Sequence, residues 1–364
     1  MEPRRRETID PFERAAAALS RLGPGEDMSS DTSSQIDLAA AGRDDVVLPF
    51  SVGPLDVRGR IVRLGPSVDT ILRRHGYPDP VARALGEAAA LTVLLGSSLK
   101  FEGRFQLQTK TDGPIDMVVV DFEAPDRLRA TARFDAGRVA ALGSGRRGTA
   151  DLLGNGHLAM TIDQGSAQSR YQGVVALAGQ GFEEAAHQYF QQSEQIPTRV
   201  RLAVAERLEE GTRSWRAGGL LVQFLPQSPE RARSGDLPPG DIPEGHARLD
   251  ERAVPEDDAW IEAKSLVATT EDHELVDPTV SSERLLYRLF HERGVRVFKS
   301  RGVHEACRCS RERVMGMIRR FSDEDRRHMI GENGRIGITC EFCSRHYDLD
   351  PAEVEAELAG GARH

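Results

Sequence analysis

Apolar residues recur along this chain with two periods, and the change from one to the other marks out its elements. From Val46 the sequence turns globular, and Asp56–Leu64 alternates apolar and polar positions as a half-buried strand does. The period then lengthens. Val81, Leu85, Ala88, Leu91 and Leu95 repeat at helical spacing behind Asp79, placed to cap, and Pro80, suited to the first turn. Strand spacing returns at Phe105, Leu107 and Thr109, followed by an Asp112-Gly113-Pro114 turn and an interior strand around Met117–Val120. Further strands are expected at Leu158–Ile162, Gly173–Leu177, Val200–Val204 and Leu220–Phe224. An amphipathic helix is expected over Phe182–Gln192, carried by Phe182, Ala185, Ala186, Tyr189 and Phe190. No regular strand–helix–strand repeat organises these elements, so the expected class is α+β with a mixed sheet.

The pattern changes at both ends of this region. Residues 1–45 hold Arg4-Arg5-Arg6, Gly23-Pro24-Gly25 and a polar run from Met28 to Ser34, and read as a flexible extension with Met28 a candidate start. Glu2, Glu7, Asp10 and Glu13 argue against a transit peptide. Residues 228–283 carry fifteen acidic against five basic residues, and with Pro229, Pro238, Pro239, Pro243 and Pro255 they read as a linker. Its second half regains a helical stripe at Trp260, Ala263, Lys264 and Val267. A second stripe follows at Leu285, Leu286, Leu289 and Phe290, with Ser282 as cap and Gly294 as stop. Helices this short are stabilised by packing, so they must dock on another surface.

Beyond Val295–Phe298, Ser310 is placed to cap a helix carrying Val314, Met317, Ile318 and Phe321, and Ser322 with Asp325 forms a capping box for the next. Asn333-Gly334 fits a tight hairpin turn delivering the chain to Cys340, and Asp350-Pro351 with Glu353 opens a last helix that Gly360-Gly361 stops. The apolar inventory of this region is small, so a domain of this size needs its metal to hold together well.

Composition narrows the functional classes. The 364 residues, 39% hydrophobic and 29% charged, suffice for two domains and are too polar for a membrane protein. The most apolar run, Ala88–Leu95, is far shorter than the ~20 residues a bilayer demands. A net charge of −9 argues against general nucleic-acid binding. No secretion signal is visible and all four cysteines fall in one cluster, which fits a reducing cytoplasm where thiols bind metal.

Those cysteines are Cys307-Arg308-Cys309 and Cys340-Glu341-Phe342-Cys343. Four soft donors grouped two and two suit one tetrahedral ion, and point to zinc (Zn2+) held by Cys307, Cys309, Cys340 and Cys343. A purely structural zinc site is the plain reading of such a set. Two features add redox chemistry to it: both pairs can become local disulfides when metal is lost, the one-residue gap only with strain and the two-residue gap readily, and between Arg296 and Arg335 eleven Lys and Arg face six Asp and Glu, which favours thiolate, although such an excess also suits a solvated helix face. His304, His328 and His346 lie nearby, but four thiolates already complete a tetrahedron. Gly143-Ser144-Gly145-Arg146-Arg147-Gly148 matches a dinucleotide fingerprint literally, yet Leu153-Gly154-Asn155-Gly156 breaks the helix that fingerprint needs, so it reads as a loop between strands. No nucleophile–base word or metal-hydrolase helix is present, and the chain does not read as an enzyme.

The cysteine words, with Val314 and Tyr347 beyond them, resemble the two half-sites of the thirty-three-kilodalton heat shock protein family, bacterial holdase chaperones switched on by oxidation. Arg58-Gly59-Arg60, Tyr77-Pro78, Leu85-Gly86-Glu87, Leu99-Lys100-Phe101-Glu102-Gly103, Tyr171-Gln172-Gly173, Tyr189-Phe190, Ser193-Glu194-Gln195-Ile196-Pro197-Thr198 and Gly218-Gly219 resemble its amino-terminal domain. The chain thus divides into an extension (1–45), an α+β chaperone core (46–227), an acidic linker with amphipathic helices (228–294) and a tetracysteine redox-switch domain (295–364), and the resemblance runs from about Val46 to Ala359, leaving the extension outside it. The resemblance implies a reduced, zinc-bound, inactive form. Oxidation then expels zinc, joins Cys307 to Cys309 and Cys340 to Cys343, and frees apolar surface for unfolding client proteins, with a homodimer in the oxidised state. The rival reading is a zinc-ribbon module that binds nucleic acid or protein, whose mark is a steep salt dependence.

Overall fold

The computed structural model describes residues 43–98, 103–143, 148–164, 170–225 and 256–361. Met28, most of the extension, the proline-rich half of the linker and Leu99–Glu102 lie outside these. In chain order the strands are β1 (Val46–Val52), β2 (Val57–Leu64), β3 (Arg104–Thr111), β4 (Ile115–Glu123), β5 (Arg127–Phe134), β6 (Asn155–Asp163), β7 (Tyr171–Ala178), β8 (Thr198–Glu209) and β9 (Thr212–Phe224). They continue with β10 (Arg296–Val297), β11 (Arg301–Gly302), β12 (His304–Glu305), β13 (Ile336–Thr339) and β14 (His346–Leu349). The helices are α1 (Pro66–Arg74), α2 (Asp79–Gly96), α3 (Ala136–Ala141), α4 (Thr149–Leu153), α5 (Phe182–Tyr189), α6 (Asp258–Ala268), α7 (Asp272–Val276), α8 (Ser282–Phe290), α9 (Arg311–Ile318), α10 (Asp323–His328) and α11 (Pro351–Gly361).

Two six-stranded sheets share α2. The first runs β10-β1-β2-β9-β8 with β11 also on β1, and the second runs β12-β5-β4-β3-β6-β7. Only β12 on β5 is parallel among these pairings, so the class is α+β with a mixed sheet. Helix α2 is apolar on nearly every side, as a helix buried all round must be. It packs in one core with Val62 and Leu64 of the first sheet and Leu107 and Val120 of the second. The long β8–β9 hairpin turns at Glu210-Gly211, both at positive φ, the conformation that suits the twist of a two-residue hairpin.

The opposite face of the first sheet carries a second core. Leu48, Phe50, Ile61, Leu220, Val222 and Phe224 meet Trp260, Ala263 and Val267 of α6, Leu275 of α7, and Leu285, Leu286, Leu289 and Phe290 of α8. The linker stripes are therefore covered, with Phe290 tilted against Phe50 at 5.9 Å and Trp260 against Phe224 at 6.1 Å. After α8 the chain is sewn to both sheets: Phe50 pairs with Val297, Val47 with Arg301, and His304 with Arg127, while Val303 is buried in the main core. A third, small core of Val314, Met315, Ile318, Ile336, Tyr347, Leu349 and Val354 lies under the cysteines.

Several local expectations shift by a residue or a turn. Asp79 is the first helical residue behind Pro78 and caps nothing with its side chain. The cap of α8 is Ser281, whose hydroxyl accepts from the Arg284 amide, not Ser282. Helix α8 ends at Phe290, and Gly294 at positive φ closes the turn after it. Asn333-Gly334 turns the chain into β13, while the hairpin proper closes through the cysteine loop itself. The Gly143–Gly148 segment is flanked by the short helices α3 and α4, not by strands, and 144–147 lie outside the described residues. Asp45, expected in the extension, accepts from the amides of Gly65 and Ser67 at the start of α1.

Candidate metal centre

Each cysteine pair sits where the backbone changes direction. Ala306 donates to the Leu128 carbonyl at the end of β12, and Cys307-Arg308-Cys309 then runs into Ser310, whose hydroxyl accepts from the Arg313 amide and starts α9. Cys340 and Cys343 form the tip of the β13–β14 hairpin. The Cys340 amide donates to the Arg345 carbonyl (3.0 Å) and the Ser344 amide to the Cys340 carbonyl (2.8 Å), with Ser344 at positive φ.

This geometry brings the four sulfurs within 4.8 Å of one another. The Cys307 and Cys340 sulfurs are 3.7 Å apart and those of Cys309 and Cys343 3.2 Å. A regular tetrahedron with zinc–sulfur bonds of 2.3 Å has edges of about 3.8 Å, so the donor set fits such an ion. All four cysteines are free and half-buried. Burial pushes the Cys307 and Cys343 thiols up. Burial acts the same way on Cys309, but the Tyr347 hydroxyl and the three thiols beside its sulfur outweigh it and bring it down to about 7. Four thiolates this close repel one another, so full deprotonation requires a cation among them.

The sequence-predicted ligands are thus assembled, and the nearby histidines are not. His328 contacts the Glu324 carbonyl, His346 the Thr339 hydroxyl, and His304 faces Asp126. Part of the basic excess is engaged in ion pairs: Arg311 with Glu353, Arg326 with Asp323 and Glu355, Arg335 with Asp348.

Sequence reasoning gave no role to the residues inside the cysteine loops, and these dock the centre on the second sheet. Arg308 lies 3.5 Å from both Asp121, which is buried on β4, and Glu123. The Phe342 ring lies under the Arg129 guanidinium at 3.9 Å, and Arg129 also donates to Asp121. His75 contacts the Phe342 carbonyl at 3.2 Å and the Ser344 hydroxyl at 3.1 Å, while Arg74 clasps Glu305. These partners are far apart in sequence, and no local pattern announces them.

No helix among the described residues is long and apolar enough to cross a membrane. The model of the Hsp33 protein family matches residues 45–350. A 33 kDa chaperonin of Caulobacter vibrioides is 46% identical over 85% of this chain and 95% of its own length. One from Pseudomonas fluorescens is 34% identical over 84% and 91%. The crystal structure of the 33 kDa chaperonin from Thermotoga maritima has the same fold, with a TM-score of 0.66 at 18% identity, covering 88% of this chain and all of that one. A match over most of the chain to both the family model and the Caulobacter relative means that this chain belongs to the Hsp33 family of chaperones.

Proposed function

We propose that this chaperone is a holdase held inactive by a zinc ion on Cys307, Cys309, Cys340 and Cys343, and activated when those thiols are oxidised. The observation that carries the reading is the cluster of four free sulfurs above a core of seven buried apolar side chains among the described residues. A domain with so little apolar burial draws folding energy from its metal, and loses it when the ligands cease to be thiolates. When bound, the ion supplies charge neutralisation and a fixed tetrahedral geometry. Each pair of thiolates then gives up two electrons to hydrogen peroxide, forming one disulfide, while the peroxide takes two protons from solvent and leaves as two waters.

The pairing proposed is Cys307 with Cys309 and Cys340 with Cys343. The folded site puts sulfurs of different pairs 3.2 and 3.7 Å apart, close enough to cross-link, so selection falls to the stage after metal loss, when short local loops close at little entropic cost. Disorder then reaches α6–α8, whose apolar faces and the sheet face beneath them take up unfolding clients. The protein acts by binding rather than catalysis, in a reducing cytoplasm, and dimerises when oxidised. Zinc and free thiols are counted in parallel before and after peroxide under mildly unfolding conditions, alongside light scattering of a heat-unfolding client. One zinc and four thiols lost together as holdase activity appears is the expected result; activity unchanged by full oxidation, or zinc retained through it, overturns the reading.

A further inference from the structure

The sheet face beneath the linker helices holds a patch built for polypeptide main chain. Arg63 on β2, Gly218 on β9 and Ala203 on β8 lie in register across three strands, with Arg216 and Arg201 close by on β9 and β8. Arg63 is 1% exposed, and its guanidinium donates to the carbonyl oxygens of Asp277 at 2.7 Å and Glu274 at 2.5 Å. Arg216 is also buried; its Nε donates to the Val276 carbonyl while its terminal nitrogens clasp Asp44. Arg201, at the rim, reaches the Thr270 carbonyl and the carboxylates of Asp272 and Glu183.

Gly218 completes the cradle. A Cβ at that position would overlap the Leu275 carbonyl oxygen and lie 2.8 Å from the carbonyl carbon, so only glycine admits the backbone this close. The adjacent Leu275 and Val276 side chains are buried in the second core. Four of the five acceptors that 270–277 offers these arginines are main-chain carbonyls, present in every polypeptide whatever its sequence. Both acceptors of Arg63 belong to this segment and its Nε has none, so departure of the segment strips the guanidinium of its hydrogen-bond partners among the described residues.

We infer that the Arg63–Gly218–Arg216 cradle recognises main chain twice: it holds 270–277 while the linker is docked, and afterwards takes a client segment by its backbone carbonyls, with two neighbouring apolar side chains in the surface alongside. This rests on the holdase reading and adds how a client is gripped. Carbonyl recognition by buried cations is strong yet indifferent to side chains, which suits a binder of many unfolded sequences.

The test uses the oxidised full-length chain and a fluorescent synthetic peptide with the sequence of residues 256–292, followed by anisotropy. The peptide is expected to bind and to compete with a heat-unfolding client enzyme. Gly218→Ala, whose Cβ points at the linker and away from the main core, should speed hydrogen exchange over 258–290 in the reduced protein. In the oxidised protein it should weaken the peptide at least about tenfold, the order of one hydrogen bond to a charged group. Arg63→Met should weaken it similarly and serves where Gly218→Ala does not fold. A peptide carrying Asp272→Asn and Glu274→Gln should bind within about threefold of the parent peptide, because those carboxylates are not the main contacts. If both protein variants bind the peptide and suppress aggregation as the oxidised parent does, the face is a latch only and the cradle is overturned while the holdase reading stands. If the oxidised parent suppresses no aggregation, the holdase reading itself falls and takes the cradle with it.

Discussion

Opening the linker without touching a cysteine separates the latch from the metal. Leu286 is fully buried and Leu289 is 4% exposed, both on the α8 face that covers the first sheet. Replacing both with serine removes burial worth roughly 1.5–3 kcal/mol each, so roughly 3–6 kcal/mol together. Every 1.4 kcal/mol is about tenfold in an equilibrium, and the docked-to-free ratio should fall by about a hundred- to ten-thousand-fold. The cysteines and the small core beneath them lie outside this packing. Reduced, zinc-loaded Leu286→Ser/Leu289→Ser should therefore keep its metal while the amides of 258–290 exchange faster, and should suppress client aggregation with no oxidant present. Hydrogen exchange by mass spectrometry and light scattering read the two halves of this outcome. A variant that stays folded, keeps one zinc, exchanges faster over 258–290 and still protects clients no better than the reduced parent would show that the linker is not the latch.

Three further outcomes follow from the site and the core. Anaerobically purified protein should hold one zinc per chain, and Cys309→Ser/Cys343→Ser should lose it, because water or histidine is a poorer donor than thiolate; metal analysis decides. Peptide mapping after oxidation should find the bonds within each pair, and a majority of links such as Cys309–Cys343, whose sulfurs lie 3.2 Å apart in the reduced fold, would reverse the proposed order of metal loss and bonding. Desolvation on α2 pushes the Glu87 carboxyl from 4.5 up to about 7, against the hydrogen bond from the Thr149 hydroxyl. A raised carboxylate pKa gives stability that is fully present below about 4.5 and lost as pH rises through about 7, up to roughly 3 kcal/mol. Glu87→Gln should accordingly be more stable than the parent above pH 7 and lose that advantage on acidification, in denaturant titrations across the range; a difference independent of pH would assign the effect to something other than this proton.

What was legible in the sequence was whatever one element decides alone. Helix α2 announced itself because its residues are apolar almost all round, β3 because one face of it is buried, and β2 because its residues alternate from Val57 to Ile61 before both faces become covered. The four ligands were legible because cysteine is rare here and grouped. Strand β5 alternates Leu128, Ala130, Ala132 and Phe134 with polar residues, yet its alanines carry little strand propensity and it escaped notice. The caps at Asp79 and Ser282 were each off by one, since the angle at which the chain enters a helix is set by what it packs on. Gly218-Gly219 read as a family word without a reason; the fold supplies two, the Leu275 backbone against Gly218 and the Leu94 side chain 2.9 Å from a Cβ at Gly219 on the opposite face. The contacts of Arg308 with Asp121 and of His75 with Phe342 join residues from distant parts of the chain, which no local period encodes.

Those contacts bear on how metal loss reaches the linker. Asp121 keeps Arg129 and Arg104 as partners when Arg308 leaves, so the second sheet is not left with a lone buried charge and has no reason to unfold. The segment between Cys307 and α8 is different. It is tied down by three strands of two residues each, with Val303 as its fully seated apolar anchor. Strands that short contribute little by themselves and open with low free energy. On the proposed reading, disorder at Cys307 therefore runs backward through β12, β11 and β10 to α8, while the sheets that carried them persist. The released face is then presented by a scaffold that stays folded, which a binder needs if the groups that grip a client are to remain in register.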